Sequence, residues 1–208
     1  ELPASDPKRE IINMIIKEVQ RLDSMLKDLL KFSKPIVVDP KVHDLNKLIT
    51  DTIHLLEFKC GKGKISIDTN LDNNIPNIFI DGEKIQQVLL NICINAIESM
   101  REDGKLTIAT SMDKPSGSEY IQIDISDTGC GISPEVMKNI FTPFFTTKKE
   151  GSGLGLPISL RIVEKHMGTI KTESVVDKGS KFLIILPLDN SLNILKGDAE
   201  YNDSEVLL

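Results

Sequence analysis

The stretch "EKIQQVLLNICINAIESM" constrains the fold more than any other part of this chain. Ile85, Val88, Leu89, Ile92, Cys93, Ala96 and Ile97 cover most of a helix's circumference, so a helix here is buried on nearly every side. Gln87, Asn91, Asn95 and Glu98 follow at spacings of four, four and three and share the remaining face. Two amides on a largely buried helix cost free energy unless something satisfies them. Either Asn91 and Asn95 bond backbone groups in the core, or an Asn oxygen faces a cavity and ligates a hard cation. Mg2+ suits the second reading, because it takes few protein oxygens and completes its octahedron with phosphate and water. Asp81 is placed to cap this helix, which is predicted from residue 82 to about 100.

A helix buried on several sides needs a sheet and other helices around it, and the flanking sequence offers both. "KLTIATSM" and "EYIQIDIS" alternate with period two, placing Ile121, Ile123 and Ile125 on one face, and the turn-rich "DKPSGS" joins them. "GKGKISIDTN" gives a glycine break and a half-buried strand, "NIFI" a second short one, and "TIKTESVV" and "KFLIILPL" two more. Helices are predicted over 45–59 and 154–167. Residues 37–188 therefore read as an α+β domain with helices packed on one face of a mixed or antiparallel sheet, and the polar residues 189–208 as a tail or linker.

Residues 1–36 read differently. Ser5 or Asp6 is placed to cap a helix over 8–33, with Pro7 tolerated in its first turn. Ile12, Ile15, Val19, Leu22, Leu26 and Leu29 form the seam of a coiled coil or bundle. Ile16, Met25, Leu30 and Phe32 widen that stripe, so more than one partner helix is needed. Pro35 ends the helix by disfavouring helical geometry at Lys34.

Composition narrows the partners. The net charge of -6 argues against nucleic acid, whose binding draws on clustered Lys and Arg. No run approaches the roughly 20 apolar residues of a membrane span, and the first residues lack a signal-peptide layout. Cys60, Cys93 and Cys130 are too far apart in sequence for a metal-ligand pairing, and an odd thiol count suits a reducing compartment. A cytoplasmic location follows, or the cytoplasmic part of a membrane-bound sensor.

Three further stretches carry chemistry. "SDTGCGIS" puts Asp127 at a strand end, before Gly129 and Gly131. A plain turn explains Asp127 and one glycine, and two glycines less well. An acceptor-only carboxylate in a pocket takes the amino group of adenine and repels the carbonyl that guanine presents there. "FTPFFTTKK" gathers Phe141, Phe144 and Phe145, three of the seven phenylalanines, into a flap that closes on a ligand or a simple hydrophobic plug. Lys148 and Lys149 are a solvated pair or a polyphosphate contact. "GSGLGL" reads G-x-G-x-G, which matches neither the dinucleotide fingerprint nor the P-loop. It opens a helix whose N-terminus binds anions.

Taken in order, these segments resemble the ATP-binding catalytic domain of sensor histidine kinases. "NICINAIE" resembles the family's N box, "DTGCGI" and "GSGLGL" its two glycine boxes, "FTPFFTTK" its F box, and "GSKFLIILP" its closing strand. "EVQRLDSMLKDLLKFSKP" resembles the second helix of the dimerisation and phosphotransfer hairpin. The resemblance implies the left-handed βαβ ATP-binding α/β sandwich shared with DNA gyrase and mismatch-repair ATPases. It implies ATP and Mg2+, with Asn95 as the metal ligand, Asn91 as its polar partner near the phosphates, and Asp127 reading adenine. It also implies purine and phosphate contacts from Gly129, Gly131, Ile132, Thr147, Lys148, Gly151, Ser152, Gly153, Leu154, Gly155, Leu156 and Ser180. Residues 132–152 would be a lid hinged by the glycines of the second box. The partners implied are a response regulator and, in the full-length protein, a second copy joined through the helical hairpin.

Within that superfamily the hydrolysing ATPases carry a Glu where Asn91 stands, and an amide cannot accept a proton from water. Transfer to a protein acceptor is favoured. Glu98 departs from members that have a basic residue there, and its carboxylate could instead bind a positive side chain. The family's acceptor His lies on the first helix of the hairpin, and no residue here occupies that place. His43 follows the second helix, His54 lies in the linker helix region, and His166 lies near a helix C-terminus, where an imidazolium favours the dipole. The chain is thus expected to bind ATP and to need a supplied acceptor. Competing readings are a serine kinase of the anti-sigma type, which shares the fold, and a switch module that binds ATP without transfer.

Overall fold

Strict alternation along the central strand decides where the helices lie. A computed structural model describes residues 7–60, 65–100, 103–113, 119–148 and 151–188. Strand β5 (Tyr120–Asp127) buries Ile121, Ile123 and Ile125 at no more than 1% exposure, while Gln122, Asp124 and Ser126 face the other way. It pairs antiparallel with β4 (Gly104–Asp113) and β7 (Gly179–Pro187). Register sets Ile123 beside Thr110 and Ile184, and Ile125 beside Ile108 and Phe182, so one face of the sheet becomes a continuous apolar floor. β2 (Ile65–Leu71) adds on parallel to β4 and β6 (Thr169–Val175) antiparallel to β7, giving the order β2-β4-β5-β7-β6. The sheet is mixed, as one of the two sequence expectations held.

Three helices cover that floor: α2 (Leu45–Cys60), α3 (Gly82–Ser99) and α5 (Gly155–Lys165). The apolar helix of the opening stretch is α3, flanked by α2 and α5, and its Ile85, Val88, Leu89, Ile92 and Cys93 are buried to within 1%. Asp81 caps it, its Oδ1 accepting the Lys84 N–H at 3.1 Å. Two elements lay below the resolution of periodicity. Lys41–His43 forms β1, which pairs with β3 (Ile78–Ile80) in a separate two-stranded ribbon. Pro134–Met137 forms a one-turn helix, α4, capped by Ser133 inside the segment 132–152, for which no helix was expected. The caps Ser5 and Asp6, the glycine break at 61–64, the "KPSGS" turn, Lys149 and the tail from 189 on lie outside the described residues.

Helix α1 (Pro7–Ser33) meets this layer at its C-terminal end, where Phe32 touches Arg161 of α5. Its seam residues Ile12, Ile15, Val19, Leu22, Leu26 and Leu29 remain 42–59% exposed, which agrees with a stripe that needs further helices. No helix among the described residues is long and apolar enough to cross a membrane.

His166 corrects an expectation. It is fully buried at the end of α5, and its Nε2 accepts the Asp81 N–H at 3.0 Å. Nδ1, which must then carry the proton, lies 2.8 Å from the Ile162 carbonyl oxygen. The ring is a neutral bracket between α5 and the start of α3, not an imidazolium on a helix dipole. Burial pushes its pKa below the ordinary 6.5, outweighing the Ile162 carbonyl and the Asp81 charge. A depressed histidine pKa means the unfolded chain binds a proton that the folded one refuses. Its contribution is therefore whole above pH 6.5 and is lost as pH falls from there towards the folded pKa. Melting temperature measured from pH 8 down to 5 is expected to fall below that point. His166→Gln, which keeps a donor and an acceptor without titrating, should fall less steeply; equal slopes would refute the assignment.

Candidate functional site

The polar face of α3 looks into a cavity of about 430 Å³, a volume of the size that holds small ligands. Asn91 and Asn95 line it with Glu98 and Ser99, while Gln87, on the same stripe, does not. The end of β5, the segment from Cys130 to Lys148, and the start of α5 complete the walls. Residues named from sequence that meet there are Asn91, Asn95, Asp127, Gly131, Ile132, Thr147, Lys148, Gly151, Ser152, Gly153, Gly155, Leu156 and Ser180. Gly129 and Leu154 do not line it: both are buried behind the wall, Leu154 at the N-cap of α5.

The two asparagines have separate situations. The Asn91 Nδ2 donates to the Gly155 carbonyl oxygen and to Ser159 Oγ, each at 3.3 Å. Backbone satisfaction is thus real for Asn91, and it fastens α3 to the first turn of α5. Asn95 instead turns its Oδ1 to the segment before the second glycine box, accepting from Lys148 Nζ at 2.7 Å. The same ammonium reaches Glu98 Oε2 at 2.6 Å, so the Glu98 carboxylate does bind a positive side chain.

Asp127 is 8% exposed, and its Oδ1 accepts from the Gly129 N–H at 2.8 Å, Ser99 Oγ at 3.2 Å and the Ser180 N–H at 3.3 Å. Those three donors hold the carboxylate in one orientation and leave Oδ2 without a partner among the described residues. A buried acceptor of this kind, in a cavity wall, matches an amino group on a ligand.

Sequence reasoning missed what braces the Asp127 backbone from behind. Gly179 stands at φ +108, and a Cβ there would collide with the Asp127 carbonyl oxygen, so the β6–β7 hairpin presses on the end of β5 as only glycine allows. Ser174 Oγ accepts the Ile132 N–H at 2.8 Å and donates to the Gly179 carbonyl oxygen at 2.9 Å. Ser99 had a signal, since it continues the four-residue step from Asn91 and Asn95. Ser174 had none, because its partners lie in other elements.

In the second glycine box, Gly153 at φ +69 is the position that demands glycine: a Cβ would sit 2.5 Å from the Phe144 carbonyl carbon. Gly155 has ordinary room, with Asn91 atoms no nearer than 3.8 Å. The N-cap Leu154 makes no side-chain cap hydrogen bond, and a helix start without such a cap is the kind that suits an anion.

The three phenylalanines divide their work. Phe145 lines the cavity, Phe141 packs on the core, and Phe144 is 57% exposed at φ +66, a conformation costing about 1–3 kcal/mol. Phe144 stacks edge-on to Phe32 of α1 with ring centroids 6.2 Å apart. Arg161 of α5 lies over the Phe32 ring at 4.9 Å and donates to the Phe32 carbonyl oxygen at 2.7 Å, capping the end of α1 with a cation. Helix α1 therefore touches both α5 and the Phe-rich segment.

Residues 80–190 match the family described as histidine kinase-, DNA gyrase B-, and HSP90-like ATPases. The signal transduction histidine-protein kinase AtoS of Escherichia coli K12 is 37% identical over 186 residues, covering 89% of this chain and 30% of AtoS. The solved catalytic domain of the histidine kinase ThkA is 35% identical, with a TM-score of 0.64 over 72% of this chain and 96% of that one. A structure of ThkA in complex with the response regulator protein TrrA gives 32% identity and a TM-score of 0.72, over 90% of this chain and 53% of that one. The chain spans less than half the length of the curated relatives it matches. An asparagine pair, a strand-end aspartate and a glycine-opened helix around one cavity, carried on this sheet, place the chain in the histidine kinase-, gyrase B- and HSP90-like ATPase family, among the catalytic domains of sensor histidine kinases.

Proposed function

We propose that the chain binds ATP with Mg2+ and transfers the γ-phosphate to a histidine on a partner helix, from which it passes to an aspartate of a response regulator. The observation that carries transfer over hydrolysis is Asn91. Its amide is engaged with Gly155 and Ser159, and it offers no base to take a proton from water. Asp127 Oδ2 would receive the adenine amino group, and the N–H groups of Gly155 and Leu156 would face the phosphates. What remains for the protein is positioning and charge neutralisation, as phosphoryl transfer generally requires.

The oxygens of Asn95 and Glu98 already converge on one cation, Lys148 Nζ, so the donor set fits a hard ion. Asn95 would hold Mg2+, which supplies neutralisation of the phosphate charge. Three placements support an acceptor outside this chain: His166 is buried with both ring nitrogens engaged, and His43 and His54 lie on β1 and α2, which do not line the cavity. The exposed stripe of α1 supports a helical bundle with a second copy in the full-length protein. The ThkA complex with its regulator supports a response regulator as the onward partner.

The test is to mix this chain, ATP and Mg2+ with a separately made helical hairpin that bears the acceptor histidine and pairs with α1. Acid-labile label on the hairpin is expected. Acid-stable label would move the assignment to serine chemistry, and tight ATP binding without label on a docked hairpin would make the module a switch.

A further inference from the structure

Lys148 occupies the metal side of the cavity. Its Nζ sits 2.7 Å from Asn95 Oδ1 and 2.6 Å from Glu98 Oε2, bridging two successive positions of the α3 polar face from a segment 50 and 53 residues further along the chain. The backbone beneath is held as well, with the Lys148 N–H donating to Thr146 Oγ1 at 3.0 Å. An amide oxygen is a neutral acceptor and does not retain an ammonium by itself. The charge that keeps Lys148 there belongs to Glu98.

We propose that Lys148 is a placeholder cation: without nucleotide it fills the metal position on Asn95, Glu98 retains it, and Mg2+ with ATP exchanges one cation for the other. The proposal rests on the ATP reading of this cavity. A triphosphate with one divalent ion keeps net negative charge, so it draws the displaced ammonium from Glu98 to its own oxygens, and the lid moves with it. Lys148 and Glu98 are then positioning residues with opposite effects. Lys148 brings the lid to the phosphates, and Glu98 competes with the phosphates for Lys148 until the metal arrives. Both side chains are about half exposed, at 40% and 53%, so replacing either does not threaten the fold.

Two measurements test this. The first is calorimetric affinity for a non-hydrolysable ATP analogue, in EDTA and in Mg2+. Glu98→Gln is expected to raise the metal-free affinity about twofold to fivefold, the fold-change of a released exposed ion pair. Its gain from Mg2+ should shrink, because in the loaded state the Glu98 charge faces the metal. The second is amide hydrogen exchange across residues 141–148 in the nucleotide-free chain. It should quicken equally in Glu98→Gln and Lys148→Met, with no further change in the double variant. Wild-type values for Glu98→Gln in both measurements overturn the proposal. If the wild type fails to bind the analogue even in excess Mg2+, the ATP reading has failed; hydrogen exchange, which needs no nucleotide, still decides whether Glu98 holds Lys148.

Discussion

Asn95→Ala is expected to weaken ATP binding in Mg2+ by more than about 100-fold, beyond the usual loss from removing a group that merely orients a metal ligand. Asn95 reaches the cavity from the C-terminal third of α3, between the buried Ile92 and Ala96. Alanine there deletes the amide oxygen and nothing that holds the helix, and it favours helix more than asparagine does. The substituted protein should keep its melting temperature to within a few degrees. Its affinity in EDTA should stay near the wild-type EDTA value, because without the metal Asn95 contacts only Lys148, which Glu98 still retains. Calorimetric titration with and without Mg2+ measures both. Unchanged affinity in Mg2+ would remove Asn95 from the metal site and leave Glu98 as the nearest alternative donor.

The second large effect lies in the sheet. Ile123→Ala should destabilise the chain by about 3–5 kcal/mol, read from the denaturant midpoint. Ile123 is completely buried on the central strand, beside Thr110 of β4 and Ile184 of β7 and below the helix layer. Neighbours on both sides are fixed by strand pairing, so the space left by the lost carbons cannot close by a local shift, which places the cost towards the upper part of the range for such truncations. Gln122→Ala, one residue away on the opposite face, should change stability by less than about 0.5 kcal/mol. Similar losses at the two positions would mean that both faces of the sheet are covered.

The contrast between those neighbours is why so much of the fold was legible. Period two in β4, β5 and β7 and the nearly all-round apolar surface of α3 are local patterns, and burial of apolar area dominates folding, so each pattern states which face turns inward. Lys41–His43 and Pro134–Met137 escaped for the converse reason. Three or four residues carry too few periods to register, and both are defined by caps and pairing partners outside themselves.

The site divides in the same way. Asn91, Asn95, Asp127 and the glycines were legible because polar residues on a buried helix, or glycines in pairs beside a carboxylate, are locally costly and so call for a reason. Gly179 and Ser174 were not, since a glycine or serine in a hairpin is locally unremarked until the strand it presses against is known. His166 shows the limit most plainly. Position near a helix end argued for a charged ring, and packing against Asp81, 85 residues away in sequence, made it neutral.

The sequence alone thus determined which faces are buried, the order of the chemical segments and the family to which they point, because periodicity and residue type act over a few residues. Only the tertiary structure decided which of those segments touch. Lys148 against Asn95 and Glu98, Phe32 between Arg161 and Phe144, and Gly179 behind Asp127 join positions from 50 to 129 residues apart. Such contacts are set by how the helix layer, the Phe-rich segment and α1 pack together, and no local pattern in the chain encodes the distance between them.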